Sequence, residues 1–254
     1  MITIISPAKT LDFKSEVQTN QNSQPEFLND SKILMNELGK LNPKDIARLM
    51  KVNDDIANLN FERNLSWRIP FTLDNAKQAL LAFRGQVYVG LDAKTLTEKD
   101  LLFAQYNLRI LSGLYGSLKP LDLIQAYRLE MGIKLKNPIG KNLYEFWGTK
   151  IGESLNKELA RKKSKVLINL ASNEYFKAIK PKLIKGEIIT PVFKEIKGNE
   201  FKVITVYAKT ARGLMSRFII QNRIENPEDI KAFDTDGYIF NRELSTEKEW
   251  VFTR

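Results

Sequence analysis

Lys209, Arg212, Ser216 and Arg223 fall on one side of any helix running from Lys209 to Glu225, because successive residues turn by about 100°, and Arg217 lies at the margin of that side. Ala211, Leu214, Met215 and Phe218 fall opposite, as an apolar side for the core. No acidic residue occurs between positions 209 and 224. Solvated helix faces usually mix charge signs, so this stripe reads as a phosphate-contacting face, with an ordinary solvent face as the plain alternative. Gly213, beside the stripe, would let a ligand backbone approach.

Two polar clusters follow apolar stretches that read as buried strands. Ser6-Pro7-Ala8-Lys9-Thr10 comes after Ile2 to Ser6, and Ser172, Asn173, Glu174, Tyr175 and Lys177 come after Lys165 to Leu170. Polar groups just past strand ends are well placed to meet a ligand at a sheet edge. If the two strands are neighbours, Lys9, Ser172 and Lys209 face one cleft. Lys9 or Lys209 would then hold phosphate or, if desolvated, serve as an amine nucleophile helped by Ser172 or Tyr175. An enzyme acting on a nucleotide or a damaged DNA base is therefore the alternative to a binding protein.

Ser112-Gly113-Leu114-Tyr115-Gly116, with Lys119 beyond it, has the glycine spacing of a helix-hairpin-helix turn, in which backbone N–H groups aim at a phosphate. A glycine C-cap followed by a turn would give the same spacing. Arg128 and Glu130 form a cation–carboxylate pair, either structural or part of a phosphate site.

The 254 residues include no His and no Cys. That excludes imidazole bases, thiolate nucleophiles, disulfides, thiol peroxidase chemistry and His or Cys metal sites. No metal or cofactor is expected. Lys and Arg number 40 against 30 Asp and Glu, a net charge of +10. A basic surface attracts nucleic acid, nucleotides or anionic membrane, although abundant Lys, Asn and Ile also fit a biased overall composition. No apolar run nears the ~20 residues of a membrane helix, and Met1 to Ile5 is too short for a signal peptide. A cytoplasmic monomer without membrane contact is expected.

These groups need elements to position them. Helices are predicted over Glu26 to Leu38, from Asn42-Pro43 to about Met50, Asp54 to Arg63, Leu73 to about Phe83, Thr97 to Leu111, Leu143 to Lys163 and Glu174 to Lys180, with a short helix or turn over Pro120 to Tyr127. Strands are predicted at both termini and as a hairpin around Lys197-Gly198-Asn199, with a short strand or an extended link at Gln86 to Leu91. The simplest assembly is a single α+β domain over residues 1–254, with a mixed sheet uniting the termini, surrounding helices, a basic cleft and a helix-hairpin-helix-like element.

The chain resembles the YaaA family of bacterial peroxide-stress proteins. The resemblance is carried by Ile5 to Asp12 (ISPAKTLD), Ala82 to Tyr88 (AFRGQVY), Leu111 to Gly116 (LSGLYG), Pro120 to Asp122 (PLD), Tyr127 to Gly132 (YRLEMG), Asn169 to Ser172 (NLAS), Glu174 to Lys177 (EYFK), Tyr207 to Lys209 (YAK) and Ala211 to Phe218 (ARGLMSRF). Asn173 stands where the family also has Asp. The resemblance implies an α+β fold with a basic cleft and DNA binding, including non-B or branched duplexes, with little sequence preference. It also implies a role in limiting unincorporated iron and DNA damage under peroxide. No catalytic residue carries over. On this reading the phosphate contacts are Ser6, Lys9, Thr10, Gly113, Tyr115, Gly116, Lys119, Arg128, Lys177, Lys209, Arg212, Gly213, Ser216 and Arg217. Six to ten phosphate contacts would weaken binding by ~10³–10⁵ between 50 and 200 mM salt.

Overall fold

Ile2–Ile5 is three isoleucines and one threonine, buried on both faces as befits a strand with parallel neighbours on each side. The computed structural model describes residues 1–254. This strand, β1, lies near the middle of an eight-stranded sheet. The others are β2 (Leu108–Ser112), β3 (Gly116–Leu118), β4 (Val166–Leu170), β5 (Glu187–Lys197), β6 (Glu200–Lys202), β7 (Ile239–Phe240) and β8 (Glu249–Thr253). Their order is β7-β8-β5-β4-β1-β2-β3, with β6 hairpinned onto β5. The pairings β2–β1, β1–β4, β4–β5 and β5–β8 are parallel, while the edge pairings are antiparallel. The sheet is mixed and unites the termini as expected, but its mainly parallel centre makes the fold α/β rather than α+β.

The principal helices are α1 (Leu28–Leu38), α2 (Pro43–Met50), α3 (Asp54–Ser66), α4 (Gln86–Leu91), α5 (Glu98–Asn107), α6 (Lys150–Ala160) and α7 (Thr205–Gln221). The Asn42 side chain caps α2 by accepting from the Asp45 amide, and Thr97 and Asp100 form a reciprocal capping box on α5. No helix is long and apolar enough to cross a membrane. One apolar core runs from Met1 to Phe252.

Several expected elements differ. The helix predicted to reach Leu111 ends at Asn107, because Leu108–Ser112 is the fully buried strand β2. Gly148, at φ +50, divides the predicted helix from Leu143 to Lys163 into Leu143–Trp147 and α6. The segment from Leu73 to Phe83 holds only one helical turn, Ala79–Ala82, between two short ladders. Gln86–Leu91 is helix instead of strand, and Pro120 to Tyr127 is largely extended, with Leu123–Ile124 paired to Lys77–Gln78.

The helix-hairpin-helix reading is overturned. Residues 113 to 115 turn between the antiparallel strands β2 and β3, with Ser112 opposite Gly116. Gly113, Tyr115 and Gly116 are all buried. A Cβ on Gly113 would lie 2.2 Å from the Leu129 carbonyl oxygen, and one on Gly116 (φ +67) 2.8 Å from the Trp147 ring. The Trp147 indole N–H donates to the Gly113 carbonyl at 2.9 Å. These glycines admit protein, and no phosphate can reach them.

Asp122 closes the loop beside this hairpin. Its carboxylate accepts from the Ser23 hydroxyl at 2.6 Å and the Lys119 amide at 2.8 Å, yet burial pushes its pKa up to about 6. A carboxyl raised above its unfolded value of about 3.9 favours the fold most when protonated. Its contribution is complete below that unfolded value and is lost as the pH rises through about 6. Relative to Asp122→Asn, the wild type should gain about 2 kcal/mol between pH 7 and pH 4 in urea unfolding. Parallel pH profiles for the two proteins would refute this role.

Candidate functional site

Because β1 and β4 are parallel and paired Ile5 to Leu170, the loops that follow them leave the sheet side by side. The Ser172 amide donates to Ser6 Oγ at 2.8 Å, and the Ser6 hydroxyl donates to Ser172 Oγ at 3.3 Å. The Tyr88 hydroxyl donates to the Ser6 carbonyl at 3.0 Å, tying α4 to the same loop. Helix α7 crosses α4 at two glycines: a Cβ on Gly213 would lie 1.9 Å from the Val87 carbonyl oxygen, and one on Gly90 2.2 Å from that of Thr210. This crossing sets Lys209 and Arg212 beside the two loops. The extended segment Tyr127–Glu130 completes a cavity of about 480 Å³.

Five cations line it, Lys9, Arg84, Arg128, Lys209 and Arg212, with two carboxylates, Glu130 and Glu174. Glu130 pairs with Lys9 at 2.8 Å and Arg128 at 3.1 Å. Asp12, just outside, accepts from Arg84 at 2.8 and 3.1 Å. The Ser15 hydroxyl and amide, then Arg84, hold the Asp12 carboxyl well below the usual range. Glu174 accepts from the Gly132 amide at 2.8 Å. Lys209 and Arg212 form no ion pair or side-chain hydrogen bond within the chain. Arg212 is half-buried, and burial lowers its pKa. Arg128 Nε also lacks a hydrogen-bond partner. Burial raises the pKa values of Tyr88, Tyr127 and Tyr175, so these walls present neutral phenols rather than phenolate bases.

Of the residues singled out by sequence, Ser6, Lys9, Thr10, Arg128, Ser172, Tyr175, Lys209 and Arg212 line this cavity. The rest do not. Gly213 makes room for α4 instead of a ligand. Ser216 is 1% exposed and donates to the Arg212 carbonyl. Arg217 donates to the Leu91 and Asp92 carbonyls, capping the end of α4, and Arg223 pairs with Asp100. Lys177 and Lys119 lie outside the cavity lining. Sequence reasoning passed over Arg84, Gln86 and Tyr88, while Glu130 and Glu174, already named beside Arg128 and Ser172, also line the cavity. Arg84 left a signal: it is a lone cation at the end of the buried run Ala79 to Phe83.

The family model described as peroxide stress protein YaaA matches residues 1–244. The chain belongs to the peroxide stress protein YaaA family. It is 56% identical over 254 residues to a UPF0246 protein of Aliivibrio fischeri (strain MJ11), covering all of this chain and 98% of that one. It is 54% identical to a UPF0246 protein of Colwellia psychrerythraea, covering all of this chain and 99% of that one. As a YaaA family member without Cys or His, this protein has no thiol with which to reduce peroxide directly.

Proposed function

We propose that the protein binds DNA through its phosphate backbone at the cavity formed by the Ser6 loop, the Ser172 loop and α7, and that this is its part in peroxide stress. The observation that carries the reading is the pair Lys209 and Arg212, two cations turned to a cavity with no carboxylate partner of their own. Of the two, Arg212 weighs more, because it is half-buried, and charged groups withdrawn from solvent are usually paired. On this reading DNA damage and free iron are limited indirectly, through what the protein does at nucleic acid. The amine-nucleophile alternative loses support at Lys9, because an ammonium ion-paired to Glu130 has no lone pair to attack with.

Counting all five cations of the cavity as contacts caps the salt slope at about −4.5 on a log–log plot, or roughly 500-fold in affinity between 50 and 200 mM salt. Fluorescence anisotropy with a mixed-sequence duplex should show a clear dependence within that cap and little change when the sequence is scrambled. Absent or salt-independent binding would overturn the reading.

A further inference from the structure

The cations of this site lie at two depths. The Lys9 side chain is 61% exposed and Lys209 is also exposed, so both are open to a backbone lying across the mouth. The Arg128 side chain is 16% exposed and Arg212 is half-buried. A cavity of about 480 Å³ is the size that encloses one small molecule, whereas the major groove of a duplex alone is about 12 Å wide. A narrow anion fits beside Arg212 better than a whole duplex does. The same cavity is lined by Tyr88, Tyr127, Tyr175, Val87 and Leu129, each buried and offering only an edge to it. An anion alone has no use for such a lining, but a flat heterocycle attached to one does.

We propose that the inner cavity receives one unpaired nucleotide, its phosphate held by Arg212 and Lys209 and its base lodged among the tyrosine rings. The inference rests on the reading that DNA lies across the mouth. The ligand chemistry is that of a mononucleotide, which either a free nucleotide or a nucleotide turned out of a strand can supply. Turning a base out of a stack costs a few kcal/mol, least when it is already unpaired.

Two labelled 20-base-pair duplexes, identical except for one extrahelical nucleotide, separate these ideas by anisotropy, with dAMP, deoxyribose 5-phosphate and inorganic phosphate as competitors. The extrahelical duplex should bind roughly 10–100-fold more tightly, the range expected for one base on an aromatic platform. Deoxyribose 5-phosphate and inorganic phosphate should not displace it at concentrations where a base-bearing ligand would. Arg212→Ala should weaken binding of the extrahelical duplex roughly 10–100-fold more than binding of the fully paired one, and Arg212→Lys should keep part of the preference. Thermal unfolding of both variants checks that they fold. Displacement by dAMP assigns the cavity to free as well as strand-held nucleotides, and preference without displacement assigns it to strand-held ones. Equal affinity for the two duplexes, or displacement by deoxyribose 5-phosphate as effective as by dAMP, overturns the inference and leaves the mouth reading intact. Binding of dAMP with neither duplex bound would sink the DNA reading and leave the nucleotide site standing.

Discussion

Gly213→Val is expected to cost more than about 4 kcal/mol and to give little or no soluble folded protein, among the largest effects any single substitution here should have. A Cβ at this position would sit 1.9 Å from the Val87 carbonyl oxygen and 2.7 Å from the Leu91 amide nitrogen. Both obstacles are backbone atoms of α4, so no rotamer change relieves the clash. Gly213→Ala should already cost about 1–3 kcal/mol, as overpacking of a closed interface does. Gly39, whose Cβ would meet nothing nearer than 3.4 Å and whose φ is −67, is the control. Gly39→Ala should be neutral or stabilising by about 0.4–1 kcal/mol, because it restricts the unfolded chain without strain. Thermal and urea unfolding of the three variants tests this, and a wild-type melt for Gly213→Val would show that α4 and α7 do not cross this closely. A partly folded Gly213→Ala should also bind DNA more weakly, since the crossing sets where Lys209 and Arg212 stand.

The second large effect concerns binding alone. Lys9→Glu with Lys209→Glu should lower affinity for a fully paired duplex by ~10²–10⁴, taking about 1.5–3 kcal/mol for each charge-assisted hydrogen bond to phosphate that is removed. The salt slope should flatten by about 1.8 as two phosphate partners go unneutralised. Stability should change by no more than about 1 kcal/mol, because Lys9 makes only an exposed ion pair to Glu130 and Lys209 makes none. Anisotropy and unfolding on the same preparation separate the two readouts. Loss of fold in parallel with loss of binding would show that these lysines hold the structure together, and unchanged affinity would move the DNA elsewhere on the surface.

The parts of this site legible in the sequence were those tied to strand ends. Ile2–Ile5 and Val166–Leu170 are short apolar runs followed at once by Ser, Lys and Tyr, and such runs become parallel neighbours whose following loops meet. What was not legible was which neighbour each side of a helix would have. The wheel of α7 correctly separates Ala211 and Met215 from Arg212, but it cannot show that Gly213 and Arg217 face α4. Leu108 and Leu111 continue the i, i+3 and i+4 spacing of Leu101 and Ala104, so a helix pattern ran on into a strand whose five residues are all buried. Full burial removes the alternation that would have marked the strand, and the glycines after it were then assigned to the wrong kind of hairpin. Arg84 joins the site only through tertiary packing between segments 40 or more positions apart, which no local spacing records.

The position of β1 has a consequence for how the molecule is made. Ile2–Ile5 is synthesised before both of its sheet partners, Leu108–Ser112 and Val166–Leu170. At a synthesis rate of about 5–20 residues per second, the nascent strand waits roughly 10–30 s before both flanks can be covered. Throughout that interval neither partner strand shelters this sticky tetrapeptide, and chaperone capture during translation would fall on the segment that later anchors the Ser6 loop.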